Sequence, residues 1–133
     1  MAKYVYPAVF AEESTGGYSV YFPDVEGCYT QGEDMAEAIE MAKDALCLML
    51  YDMEVSHRDI PKPTDIHNIK SESDSDIVSL IACDTMTYRR FYDNKAVKKT
   101  LSIPNWLNIM AEEQGINFSA VLQNALKEQL HIQ

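Results

Sequence analysis

Four carboxylates crowd the stretch PDVEGCYTQGED: Asp24, Glu26, Glu33 and Asp34. Carboxylates suit divalent cations, and several converging on one or two Mg²⁺ ions would support phosphoester hydrolysis. Nothing in their spacing brings them to one point, and no predicted strand carries a central Asp among its apolar residues. His57, His67 and His131 stand without a motif, and no Ser/His/Asp or Cys/His arrangement for nucleophilic catalysis is indicated. Cys28, Cys47 and Cys83 are far apart, lack any C-x-x-C or Cys/His ligand spacing, and are expected as buried reduced thiols. No catalytic residue, metal site or cofactor is therefore expected. A second set of side chains offers different chemistry. Lys98, Thr100 and Ser102 alternate along AVKKTLSIP, an array of short or cationic donors suited to base edges.

Charge separates the two sets. The chain holds 11 Lys+Arg against 21 Asp+Glu over 133 residues. Residues 1–87 carry 5 basic and 17 acidic side chains, a net of −12; residues 88–133 carry 6 and 4, a net of +2. Such asymmetry implies a different partner for each part, a basic protein for the first and phosphates for the second. No apolar run reaches membrane-spanning length and the N-terminal stretch lacks a signal-peptide core, so a cytoplasmic protein is expected.

The elements that must position these residues follow from period and punctuation. Residues 4–10 and 18–22 read as two strands of a hairpin, with Tyr18, Val20 and Phe22 on one face. Pro7 suggests an edge or a bulge. A Pro/Gly-bracketed loop follows, with a very short strand around residues 28–30. Asp34 and Glu37 form a capping box that opens a helix. Met35, Ile39, Ala42, Leu46, Met49 and Met53 then recur at helical steps until about Glu54. Residues 55–76 read as an irregular connection, and the apolar run 77–83 as a strand buried on both faces. Periodicity fades over 84–95. The expected organisation is α+β: a β-β-(β)-α-β domain over 1–84, a linker over 85–95, and a β-α-α domain over 96–133.

That last domain is too small to stand alone. Val97, Lys99, Leu101 and Ile103 share one strand face, and Lys98, Thr100 and Ser102 the other. Pro104 ends the strand, Trp106 to Ala111 give helical spacing up to Gly115, and Asn117 opens a second helix with an apolar stripe. A lone strand has no neighbour to pair with, and 35-odd residues bury too little surface. A homodimer solves both problems: two strands pair antiparallel over a shared four-helix core. The exposed ribbon face would enter the DNA major groove, with Asn117 and Ser119 at a helix N-terminus receiving a phosphate.

KKTLSIP with its two following helices resembles the ribbon-helix-helix family of bacterial repressors. The upstream segment resembles the N-terminal domain of HicB-type antitoxins through Phe22, Pro23, Asp24, Gly27, Cys28, Thr30, Gly32, Glu37, Ala38, Ala42, Ala45 and Leu46. The resemblance implies a partial ribonuclease-H-like fold. It also implies a small basic HicA-type toxin as partner, an RNA-cleaving protein with a double-stranded-RNA-binding-like fold and a catalytic histidine. It further implies repression of the shared operon through operator DNA. Asp24, Glu26, Tyr29, Gln31, Glu33 and Asp34 are the candidate toxin contacts, although Asp34 and Glu37 could equally serve only as a helix cap. A competing reading is a ligand-sensing repressor whose pocket is lined by Tyr4, Tyr6, Tyr18, Tyr21 and Tyr29.

Overall fold

The computed structural model describes residues 3–132; the extreme ends of the two expected domains, residues 1, 2 and 133, lie outside it. The chain divides into two compact units, Met1–Lys95 and Ala96–Gln133.

In the first unit, strands β1 (Lys3–Glu12), β2 (Tyr18–Tyr21), β3 (Tyr29–Gly32) and β4 (Ile77–Asp84) form an antiparallel sheet in the order β3-β2-β1-β4. Helix α1 (Met35–Val55) covers one face. Alternation along β1 sends Tyr6, Ala8 and Phe10 toward it, all fully buried, where they meet Val20 and Phe22. Ala38, Ala42, Leu46 and Leu50 are the helix residues buried deepest. The small side chains at its first turns let the helix lie close to the sheet. Ile39, counted on the apolar stripe from spacing alone, is 42% exposed.

Pro7 lies in a central strand, contrary to the expected edge. The ladder to β4 runs along Lys3–Phe10, but the ladder to β2 spans only Val9–Glu12. Pro7 therefore has no β2 neighbour that requires an N–H. The expectation for residues 77–83 also changes. β4 is an edge strand with Ile81 and Cys83 buried, while Ile77, Leu80 and Ala82 are exposed. Its apolar run is continuous because β-branched and small residues occupy the open face too, which partly meets Pro63 and Ile66 of the connection.

The stretch 85–95 is not an unstructured linker. Thr85–Tyr92 form helix α2, capped by Asp84, whose carboxylate accepts from the amides of Met86 and Thr87. A short aromatic helix has little intrinsic periodicity, so tertiary contacts rather than pattern hold it. The Tyr88 ring meets Tyr51 of α1 at a tilt, with centroids 5.4 Å apart, and the Arg89 guanidinium sits 5.1 Å from the Tyr51 ring. At the end of α1, Glu54 accepts hydrogen bonds from the hydroxyls of Tyr4 and Thr85, both at 2.9 Å. Burial and that carboxylate push the Tyr4 hydroxyl up to about 12, which keeps it a donor.

In the second unit, α3 (Asn105–Glu113) and α4 (Phe118–Gln129) are joined through Gly115 at φ 66°, the left-handed conformation that glycine adopts without strain. Residues 93–104 have no regular secondary structure in the single chain.

A Cβ on Gly32 would stand 2.4 Å from the Ala38 nitrogen. Gly32→Ala should lower the stability of the first unit by about 1–3 kcal/mol or prevent its folding, as read by the urea midpoint of residues 3–95 in the intact chain.

Candidate functional site

The loop after β2 turns back on itself through three backbone bonds: Val25 N to Phe22 O, Cys28 N to Val25 O, and Phe22 N to Cys28 O. Val25 and Cys28 are buried by this turn, and Gly27 takes φ 77°. The intervening polar residues are thereby pushed outward. Glu26, Gln31 and Glu33 are exposed, and Tyr29 is 74% exposed on edge strand β3. Tyr29 and Gln31 alternate with Thr30 and Gly32, so they share one side of that strand.

Two of the six candidates have local work. Asp24 is half-buried and accepts from the Thr64 amide at 2.9 Å and the Thr64 hydroxyl at 2.5 Å, tying the connection to the loop. Asp34 caps α1 by accepting from the Glu37 amide at 2.8 Å, and Glu37 accepts in return from the Glu33 amide at 3.3 Å. The reciprocal pair expected from the spacing is thus present.

Beside this edge lies an open hollow of about 550 Å³, bordered by Glu13, Tyr18, Gln31, Glu33 and Glu37. Glu13, from the β1–β2 turn, was invisible to a motif search because the hairpin brings it round; its carboxylate also accepts from the Ser19 hydroxyl. The result is a negative rim on an edge strand. Among the described residues, no three His, Cys, Asp or Glu side chains gather where a metal ion could be held. The tyrosines do not assemble as a common pocket: Tyr6 is buried in the core, Tyr4 is committed to Glu54, and Tyr29 faces outward.

The second unit is unusual in its exposure. Among its described residues none is buried; Val97, Leu101, Trp106 and Val121 are 83%, 60%, 64% and 55% exposed. Lys99, Leu101 and Ile103 line an apolar hollow of about 520 Å³ with Phe118, Val121 and Ala125. Alternation leaves Lys98, Thr100 and Ser102 off that hollow, all exposed. Asn117 accepts from the Ala120 amide at 3.0 Å, so its side chain caps α4. Ser119 lies in the first turn of that helix and borders the hollow.

Charge divides differently by structural unit than by sequence half. Arg89 and Arg90 belong to α2, and Arg89 lies 3.9 Å from Glu54. Residues 96–133 hold three basic and three acidic side chains, so their positive character is confined to Lys98 and Lys99 at the start and Lys127 in α4.

The described residues form an acidic α+β unit followed by a two-helix unit in which none of them is buried. A family model described as the HicB-like antitoxin of bacterial toxin-antitoxin systems matches residues 6–125. The chain belongs to this family, whose members are regulatory proteins rather than enzymes. It is 39% identical over 66 residues to antitoxin HicB of Escherichia coli K12, a match covering 47% of each protein, so the chain spans about half the length of that relative. It is 28% identical over 108 residues to antitoxin HicB 1 of Photorhabdus laumondii, covering 81% of this chain and 66% of that one. A chain from a toxin-antitoxin complex of Streptococcus pneumoniae shares the fold at TM-score 0.62 and 29% identity, covering 96% and 99%.

Asp24→Ala removes both bonds to Thr64. Limited proteolysis should then cut within residues 60–69 several-fold faster than in the parent chain, with the core strands still protected from hydrogen exchange.

Proposed function

We propose that this protein is the antitoxin of a HicA-type toxin and that it represses its own operon through a ribbon-helix-helix dimer. The family match across residues 6–125 is the observation that carries the neutralising role. The first unit would be the toxin-binding domain, with a partial ribonuclease-H-like fold. Residues 1–95 carry 8 basic and 18 acidic side chains, which steers a small basic protein toward them. The exposed edge with Glu26, Tyr29, Gln31 and Glu33 is the contact surface we favour. Tyr29 supplies a rigid aromatic anchor there, and the carboxylates supply the complementary rim. Asp24 and Asp34 act indirectly by shaping the loop and starting α1.

For the second unit, the supporting observation is the missing interior. Nonpolar side chains as large as Trp106 and Phe118 stay in water in the single chain. Pairing residues 96–103 with the same segment of a second copy would give each strand its hydrogen-bonded neighbour. It would also close the hollow between Leu101, Ile103 and Val121. Lys98, Thr100 and Ser102 would then stand on the outer face of a two-stranded ribbon, the shape that fits a major groove. The free amides at the start of α4, beside Asn117 and Ser119, suit a flanking phosphate.

These roles separate experimentally. Replacing Lys98 and Thr100 together by Ala should weaken binding to the operon's promoter DNA by roughly ten-fold or more in a shift assay, each lost base contact being worth about 1–3 kcal/mol. Rescue of toxin-expressing cells should survive that change; simultaneous loss of both would contradict the division of labour. A fragment comprising residues 1–95, which retains α2, should still rescue such cells while failing to shift promoter DNA. A fragment that is folded by circular dichroism yet leaves the cells poisoned would overturn the assignment of neutralisation to the first unit.

A further inference from the structure

Two thiols outside both surfaces meet across the helix–sheet interface. Cys47 projects from α1 and Cys83 from β4; both are free, 5% and 2% exposed, members of one buried cluster, and near enough for each thiol to shift the ionisation of the other. Each also borders an open hollow. Cys47 lines a groove of about 320 Å³ between α1 and α2, walled by Tyr88 and Phe91. Cys83 lines another of about 390 Å³ that reaches Val5 and Ala82. Lys43 and Asp84 border both hollows, with Asp44 on the first and Lys3 on the second, so solvent and charged groups lie on either side of the pair.

We propose that Cys47 and Cys83 form a redox pair, which a hydroperoxide converts to an intramolecular disulfide tying α1 to β4. The Cys47 thiolate attacks the outer peroxide oxygen; the S–O bond forms, the O–O bond breaks, and the alcohol or water leaves with a proton. The Cys83 sulfur then attacks the resulting sulfenic acid; the S–S bond forms, the S–O bond breaks, and water departs with the Cys83 proton. Two thiols and one hydroperoxide are consumed, and the two electrons removed from sulfur reduce the peroxide.

The order of attack follows from the surroundings. The Cys83 thiol beside it, Lys43 and the Asp84 backbone hold the Cys47 thiol below its ordinary value against burial, while Asp44 opposes them. Cys83 is raised by the Cys47 thiol, by burial and by Asp84 and Glu54. Cys47, the more exposed of the two and on the groove between α1 and α2, is the nucleophile and Cys83 the resolving thiol. Cys28 borders neither hollow and lies beneath the loop, where burial pushes it up to about 11.

The bond would close residues 48–82, including the whole connection, into a covalent loop. Constraint of the unfolded chain then stabilises the first unit, whatever partner it binds.

Exposure of the full-length chain to a small excess of hydrogen peroxide, followed by alkylation and non-reducing peptide mapping, tests this. The intact mass should fall by about 2 Da, a Cys47–Cys83 linked peptide should appear, and Cys28 should remain alkylatable. The unfolding midpoint should rise by on the order of 10 °C and return on reduction. Cys28→Ser should keep both effects, and Cys47→Ser and Cys83→Ser should lose them. Mapping of the parent chain decides the matter even where a serine variant fails to fold. Peroxide-treated parent chain in which Cys47 and Cys83 are both still alkylatable, Cys47 is sulfinic acid without a linked peptide, or the linkage involves Cys28 or a second chain would overturn the proposal.

Discussion

The first turns of α1 sit almost on the backbone of β3, and the rest of the first unit is arranged around that contact. Gly32 ends the strand so near to α1 that any side chain would overlap the Ala38 amide. Ala38 and Ala42, small and fully buried, continue the close approach along the helix. At this separation Leu46 and Leu50 share one core with Tyr6 and Phe10, and a single helix covers the sheet face. Because the helix starts three residues after the strand stops, Asp34 caps it at the Glu37 amide and Glu37 accepts in return from the Glu33 amide. The acidic edge is therefore a by-product of tight packing: carboxylates needed at a helix N-terminus are also displayed beside an edge strand.

Loop and connection depend on the same frame. The turn between Phe22 and Cys28 buries Val25 and exposes Glu26, and Asp24 reaches across to hold Thr64. The Tyr6 hydroxyl donates to the Pro61 carbonyl from inside the core. A connection with no sheet or long helix is thus anchored at two points, and its proline-rich start is docked by side chains rather than by backbone pairing. At the other end of α1, Glu54 gathers Tyr4, Thr85 and Arg89, which couples the end of the first helix to the beginning of the second.

The second unit follows the opposite physical logic. Its helices are well formed and capped, yet among its described residues it buries no side chain. Helix pairs of this length obtain most of their stability from packing. Such a unit gains from a covering partner, the role that our proposal gives to a second copy of the same segment.

Local punctuation made much of this legible from residues alone. The capping box at Asp34 and Glu37, the helix to Val55, the glycine turn at Gly115 and the cap at Asn117 all rest on interactions within a few residues, which is why spacing reveals them. The alternation that separates Lys98, Thr100 and Ser102 from Lys99, Leu101 and Ile103 is equally local, and the hollow of the second unit is lined by the latter set. Contacts distant along the chain decided the remainder. Strand order put Pro7 in the middle of the sheet and β4 at its edge, because pairing partners are chosen by global packing, not by a strand's own composition. α2 exists through Tyr51 and Glu54, some thirty residues earlier, so no window around Thr85 could reveal it. Moving Arg89 and Arg90 into the first unit likewise redrew the charge map. Glu13 joined the acidic rim only once the hairpin closed, and Cys47 met Cys83 only when the helix lay down on the sheet, since burial and proximity are properties of the folded chain.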